Sequence, residues 1–349
     1  MFIPQFRYTH SIVNLLTKIE GLKCMIQSKE FSYDVKFRSQ KQSKINDIFF
    51  LANLMGVSID LKTAEKISMG SNLDKNEIPK ETIYTLSNFR NCLEFNRSVS
   101  SDDFKEYDIN TILHINKLVS SSWREVWTPQ YRNKLTNIQS SSLDWFDVAE
   151  EIQNTNEIYS WLTEVLEWYK NETELNNLIK VGILIYRLIE IHPFTKNNLL
   201  TIMGLLDFIF IKLNLSYKIN ISIVSMFFNN LNELKKGVYY SKINKSIEYW
   251  LEALLTSISK ELETVQNEIY KYIMEEEESK KKPFLDLNKR QIKILQYLQN
   301  VPYIKREEYC HILNVSTMTA FRDLSDLVRK KLLKIEGTGR GTKYKLYSM

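Results

Sequence analysis

Residues 188–204 read "LIEIHPFTKNNLLTIMG". An apolar run with helical spacing stops at His192-Pro193-Phe194. A polar Lys196-Asn197-Asn198 follows, and a second apolar run begins at Leu199. Proline lacks a backbone donor and disfavours a helical residue before it, so His192 marks a helix end. Asparagine then opens the next helix. The stretch therefore predicts two apolar helices joined by a short loop, with one of the chain's four histidines at the junction. A titratable imidazole beside the amides of Lys196, Asn197 and Asn198 at a helix N-terminus is an arrangement suited to anions and to proton transfer. A histidine that only makes structural hydrogen bonds fits the same residues.

Working outward, the chain is rich in helix formers and poor in breakers, with nine glycines and six prolines in 349 residues. That balance predicts a mainly α protein. Apolar residues make up 44% and charged residues 26%, as in soluble globular chains. The apolar run Leu199–Ile211 is too short to span a bilayer, and no signal-peptide pattern opens the chain, so a membrane partner is not expected. Cys24, Cys92 and Cys310 lie far apart, without metal-ligand spacing. Buried thiols in a reducing, cytoplasmic compartment, and no metal site, are expected.

Helices are expected at 11–28 (ended or bent near Gly21), 44–57, from Pro79 through "IPKETIYTLSNFRNCLEFNRSV", and at 108–122 with Asp108 as its N-cap. Further helices are expected at 145–154, 157–171, 174–191, 198–213, 219–234 and 244–274. Residues 29–44 have no clear period and read as a loop or a poorly ordered arm. Residues 123–142 mix aromatic, β-branched and turn residues and read as a short β-hairpin.

Charge is uneven. Pro283–Met349 carries 13 Lys/Arg against 6 Asp/Glu, leaving 34 against 36 elsewhere. The run Glu275–Glu278, Lys280–Lys282, Pro283 reads as a linker. Beyond it, "KRQIKILQYLQ" places Ile292, Leu295 and Leu298 on one face. "KREEYCHILNVS" gives a short helix and a turn, and Ser316 caps a third helix whose core side is Ala320, Leu324, Leu327 and Val328. "LLKIEGTGRGTKYKLY" gives two strands around a Gly-rich tip. Three helices and a hairpin predict a winged helix-turn-helix. Thr317, Met318, Thr319 and Arg322 are the candidates for the major groove, and Arg340 and Lys343 for a phosphate or the minor groove. The positive charge favours duplex DNA as partner; a protein-docking module is the alternative.

"RLIEIHPFTKNN" resembles the Fic signature His-Pro-Phe-x-(Asp/Glu)-Gly-Asn-Gly-Arg-x-x-Arg. "YRNKLTNIQ" (131–139) resembles the flap strand that precedes the motif, giving Tyr131, Arg132, Leu135 and Ile138 as flap residues. "TILHINKLV" (111–119) is similar to a helix of that family. "LLTKIEGLK" (15–23) is similar to its inhibitory helix, with Glu20 in the acidic position. "KSIEYWLEALLTSI" (245–258) and a C-terminal winged helix are also common there. The resemblance implies a Fic-type helical bundle with a β-hairpin flap. The chain then divides into an N-terminal helical region (1–100), a Fic-like core (101–274), a charged linker (275–288) and the winged helix (289–349).

The resemblance also implies an activity, AMP transfer from ATP to a protein hydroxyl, with the motif histidine as general base. In such proteins the motif acid binds Mg²⁺, the Gly-Asn-Gly turn cradles phosphates and two arginines grip them. Here His192, Pro193, Phe194 and Asn198 match. Lys196 replaces the acid, Asn197 and Leu199 the two glycines, and Leu200 and Met203 the two arginines. Charge-assisted hydrogen bonds contribute roughly 1.5–3 kcal/mol each, so two lost arginines remove about 3–6 kcal/mol. Lysine cannot bind the metal. Glu20 has lost the arginine it pairs with in the family. Two readings follow. One is a DNA-binding regulator built on a Fic-type platform, with standard transfer lost or weak. The other is an active transferase using His192 as base, either an AMP transferase with ATP and Mg²⁺ or another nucleotidyl or phosphoryl transferase with an unusual donor or no metal, and a target protein laid along the flap. The sequence leaves the oligomeric state open.

Overall fold

Two helices that are apolar on almost every side organise the larger of two units, Met1–Ile273 and Met274–Met349. The structure is a computed structural model that describes residues 5–71, 78–99, 108–121, 128–133, 155–216, 220–281, 287–298, 301–337, 339 and 342–347. It contains fourteen helices and one two-stranded sheet among those residues.

The central pair is α7 (Asn177–Ile191) and α8 (Asn198–Lys212). Eleven residues of α7 and thirteen of α8 are buried. A helix apolar all round belongs in the middle of a core. Around the pair pack α4 (Lys80–Val99) and α5 (Ile109–Ser120) against α8, and α6 (Thr155–Asn171) against α7. Gly204 allows α8 its close approach: a Cβ there would stand 2.9 Å from both Cys92 Sγ and Ile115 Cγ2. Cys92 is buried, as expected, but Cys24 is exposed.

An outer layer holds α1 (His10–Gln27), α2 (Tyr33–Leu54), α3 (Leu61–Ser68), α9 (Ile223–Asn229), α10 (Leu231–Asn244) and α11 (Glu248–Lys281). α1 runs unbroken through Gly21 and is tied to α11 by Thr9 Oγ1–Glu252 (2.6 Å) and Lys18–Glu263 (2.8 Å). Trp250 Nε1 of α11 donates to the Gly182 carbonyl of α7 at 2.8 Å. Asp108 caps α5 by accepting from Thr111 N at 2.9 Å, as its sequence indicates.

Two expectations need correction. Residues 33–44 are the first half of α2, not a loop. Ser32 caps that helix, and its inward positions hold Ser39 and Ser43, small polar residues that erase the apolar period although both are buried. The run 219–234 divides into α9 and the start of α10, broken at Asn230, whose side chain donates to the Met226 carbonyl. The hairpin at 123–142 lies mostly outside the described residues. Its described part makes a single antiparallel bridge, Tyr131 to Phe194.

The smaller unit contains α12 (Lys289–Leu298), α13 (Arg306–Leu313) and α14 (Thr317–Arg329). They are followed by β1 (Leu333–Glu336) and β2 (Lys343–Leu346), paired antiparallel from Leu333–Leu346 to Glu336–Lys343. Ile304 bridges Tyr344 as a third extended segment. Ile294, Leu298, Tyr309, Ala320, Leu324, Leu327, Leu333 and Tyr344 fill the core. The inward face of α12 is Gln291, Ile294 and Leu298; Ile292 is exposed. Gln291 takes the inward place because its amide donates to Asp326 Oδ2 (2.9 Å) and the Asp323 carbonyl (3.2 Å). The acidic run Glu275–Glu278 lies within α11, which continues to Lys281.

Candidate functional site

The loop between α7 and α8 is held by His192, Asn198, Arg132 and Asn116, each of which satisfies backbone groups. His192 takes the left-handed conformation (φ 45°) just after α7 and donates its backbone N–H to the Leu188 carbonyl at 3.0 Å. This closes the helix as a glycine usually does, at a cost of roughly 1–2 kcal/mol for a residue with a Cβ. Asn198 then folds back on the loop. Its Oδ1 accepts from Phe194 N at 2.9 Å and its Nδ2 donates to Phe194 O at 2.8 Å. Only an amide supplies a donor and an acceptor at that spacing, which explains this asparagine physically.

The third residue is Arg132, and it is buried. Its Nε donates to the His192 carbonyl at 2.8 Å, and its Nη2 to the Ile191 carbonyl at 2.9 Å. A guanidinium at the carbonyl end of α7 meets the negative end of the helix dipole. Its backbone N–H donates to Pro193 O at 2.9 Å, Thr195 N–H donates to Gln130 O at 3.2 Å, and the Tyr131 ring stacks on Phe194 at 5.9 Å. Residues 130–132 thus clamp the loop from one side. From the other side, Asn116 of α5 donates to the Lys196 carbonyl (3.2 Å) and to Thr201 Oγ1 (3.1 Å), and Asn197 Nδ2 donates to Ser120 Oγ (3.2 Å).

His192 is 4% exposed, and its Nε2 has no hydrogen-bond partner among the described residues. Burial first, and the Arg132 charge second, lower its pKa to about 4. It is therefore neutral at pH 7 and carries an unused nitrogen. Leu199, Leu200 and Met203 are 1%, 0% and 0% exposed and belong to the central core.

Of the anion-binding candidates, the Asn197 and Asn198 side chains are engaged within the chain, and Lys196 is partly buried. Among the flap candidates, Tyr131 and Arg132 stand at the loop, while Leu135 and Ile138 lie outside the described residues. Glu20 is on the surface of α1, 3.7 Å from Lys23, whereas Met203 is wholly buried. Asn116, Ser120 and Thr201 were not expected at the site. Asn116 and Ser120 sit four apart on one face of α5, the one sequence signal that pointed to them. Beside Tyr131, a cavity of 510 Å³ opens between α5 and α6, lined by Asn110, Leu113, Tyr159, Leu166 and Glu167 among others.

In the smaller unit, Thr317, Met318 and Arg322 are exposed on α14, and Thr319 partly so. Lys343 Nζ stands 4.1 Å over the Tyr303 ring at the base of the wing. Arg340 lies outside the described residues. Phe321, half-exposed with Arg306 stacked over it at 5.0 Å, joins this face and was missed because an aromatic on α14 reads as core. Asp323 locks the helix in place. It accepts from Arg290 Nε (2.8 Å), Tyr309 Oη (2.9 Å) and Asn288 Nδ2 (2.8 Å). Burial opposes its ionisation, but these donors outweigh it and hold the carboxyl below its ordinary value.

Comparison with known proteins agrees with both units. A Fic family protein from Desulfovibrio desulfuricans G20 superposes over 100% of this chain and 99% of its own, with a TM-score of 0.56 and 15% identity. A Fic domain containing signaling protein from Bacteroides thetaiotaomicron VPI-5482 covers 74% of this chain and 98% of its own (TM-score 0.55, 17% identity). Fic-1 from C. elegans (aa134–508) covers 76% and 73% (TM-score 0.58, 15% identity). The chain has the Fic fold. Residues 290–338 match the DeoR-like helix-turn-helix domain family. No curated protein sequence matches the chain. At these identities the likeness to the solved structures is one of fold. The Fic fold thus carries a C-terminal helix-turn-helix domain, and no described helix is long and apolar enough to cross a membrane.

Proposed function

We propose that the chain is a DNA-binding regulator. Its C-terminal unit engages duplex DNA, and its Fic-type core acts as an interaction or ligand-sensing platform in which standard Mg-ATP-dependent AMP transfer is lost or weak. The observation that carries this reading is the burial of Leu199, Leu200 and Met203. At the positions where the resemblance calls for a phosphate-cradling glycine and two arginines, these side chains are part of the core.

ATP and Mg²⁺ do not fit the residues present. Lys196 offers no metal-binding oxygen on its side chain, and Asn197 turns its amide to Ser120. The basicity of His192 points the same way: with a pKa of about 4 it is a weak acceptor at pH 7, where general bases act best near the working pH. On the DNA side, α14 exposes Thr317, Met318 and Arg322 on a unit matched to a helix-turn-helix family.

A second reading, transfer to a target hydroxyl with His192 as base, draws support from the unpartnered Nε2 and from the loop geometry kept by Asn198 and Arg132. A target segment would lie along the flap by strand addition. Incubation with labelled ATP in Mg²⁺ or Mn²⁺ separates the two. The regulator reading expects no label on the chain or on added protein, and label that disappears in His192→Ala overturns it. A fluorescent-duplex titration tests the DNA half. Binding that weakens steeply with salt is expected, and no binding at low salt refutes it.

A further inference from the structure

The outward face of α14 combines charge and apolar surface in one place. Ala320, Asp323, Leu324 and Leu327 turn inward. Thr317, Met318, Phe321 and Arg322 are exposed on the other side, and spacings of three and four set them beside one another. Met318 is 62% and Phe321 45% exposed, although the remaining large apolar residues of the helix are buried or partly so. The arginines of the unit divide in two. Arg290 and Arg329 are ion-paired, with Asp323 and Asp326. Arg306 and Arg322 make no ion pair among the described residues. Both belong to this face, Arg322 by its place on α14 and Arg306 because its guanidinium lies over the Phe321 ring at 5.0 Å. Arg306 Nε is buried without a hydrogen-bond partner. The carboxylates nearby are mostly engaged. Asp323 and Asp326 accept from Arg290, Tyr309 and Gln291, and Glu308 folds back onto Lys305 N at 2.9 Å. Among the described residues of α13 and α14, Glu307 is the one carboxylate left unpaired, against two free arginines.

We propose that α14 selects thymine: Met318 and Phe321 pack on C5 methyl groups in the major groove, and Arg306, held over Phe321, takes a phosphate at the groove's rim. The inference rests on the DNA contact of the regulator reading and names what that contact selects. Charge and chemistry choose the occupant together. The unit carries 13 Lys/Arg against 6 Asp/Glu over residues 283–349, and the two unpaired arginines bracket an apolar centre. A duplex offers the matching surface, with phosphates along the rims and one apolar group among the base edges, the thymine methyl. Every other major-groove edge is a donor or an acceptor. Setting Met318 or Phe321 against such an edge takes water from it and returns no hydrogen bond. None of the four outward residues is the Asn or Gln that reads adenine, or the Asp or Glu that reads cytosine. Arg322 is left for a guanine or a second phosphate.

Duplexes selected from a random library by the full chain at low salt supply the probe. Replacing a thymine with deoxyuridine removes its methyl and keeps every hydrogen-bonding group. A loss of about 3- to 5-fold in affinity is expected at one or more positions, the scale of one buried methyl. Met318→Ala and Phe321→Ala should each abolish that sensitivity at its own position with melting temperature unchanged, since both side chains face solvent. Arg306→Gln should lower the salt slope by about one and keep the sensitivity. A selection that returns no preferred sequence, or selected duplexes that bind equally well with uracil throughout, overturns the proposal while the DNA contact stands. Uracil sensitivity that both alanine variants retain overturns it too. A chain that binds no duplex at any salt overturns it together with the DNA contact and gives this face to another partner.

Discussion

Asp47→Asn is expected to remove a pH dependence that the fold builds into its larger unit. Asp47 of α2 is buried and accepts from Ser222 Oγ (2.8 Å) and Val224 N (3.1 Å), capping α9 across the core. Asp207 of α8 and Arg97 of α4 act on it, and Glu261 of α11 sits against Ser225 of α9 at 3.2 Å. Burial, with help from Asp207, raises the Asp47 pKa to about 7; burial, with Asp47 and Glu268, raises that of Glu261 to about 8. A carboxyl whose folded pKa lies above its unfolded value stabilises fully below the unfolded pKa and loses that contribution as pH rises through the folded one. For Asp47 the window runs from about pH 4 to about pH 7. Between about pH 5 and about pH 8 the loss amounts to about 2–3 kcal/mol, or about 5 °C or more in melting temperature for a unit of this size. Asparagine keeps an acceptor for Ser222 and Val224 but does not titrate. Whatever its amide costs is the same at every pH. The quantity to read is therefore the change with pH of the melting-temperature difference between variant and wild type. It should move in the variant's favour by about that amount as pH rises. A difference that stays flat, or moves the other way, refutes the assignment of a protonated Asp47 to the folded state.

Arg132→Met leaves the Ile191 and His192 carbonyls without a donor and should cost about 2–5 kcal/mol in denaturant unfolding. The same change removes a cation beside His192, so its pKa, read by NMR titration, should rise from about 4. Installing arginines in place of Leu200 and Met203 restores the motif's lettering but puts two charges where exposure is 0%. The variant should lose several kcal/mol of stability and gain no thermal shift from Mg-ATP. Asp323→Asn should lower duplex affinity with little change in the salt slope, because it loosens α14 without removing a phosphate contact. Lys343→Ala, if Lys343 meets a phosphate, should lower the salt slope by about one.

The central pair of helices, the Asp108 and Ser316 caps and the three-helix-plus-hairpin order of the smaller unit were legible because each rests on local pattern. The parts that were not legible rest on polar groups satisfied at a distance. The first half of α2 hides behind Ser39 and Ser43. Gln291 turns inward only because Asp323 and Asp326 lie across from it, more than thirty residues away. At the site, His192, Pro193, Phe194 and Asn198 announce the loop, but nothing local shows that Arg132 caps α7 from sixty residues upstream or that Asn116 and Ser120 hold the far side.

The two halves of the motif behave differently for a physical reason. His192 and Asn198 act on the loop's own backbone, closing α7 and bracing Phe194, so the fold itself needs them whether or not a ligand binds. A phosphate-gripping arginine has no such second employment. At the inward positions of α8 it would stand beside Ile, Leu and Phe with no partner, a charge that burial makes costly. Once a ligand ceases to stabilise such a group, exchange for leucine or methionine gains core packing at no loss to the loop. The proposed regulator reading expects the loop geometry to be kept and the clamp positions to be filled with apolar side chains. Leu199, Leu200 and Met203 are buried in the core, and His192 closes α7 in the left-handed conformation.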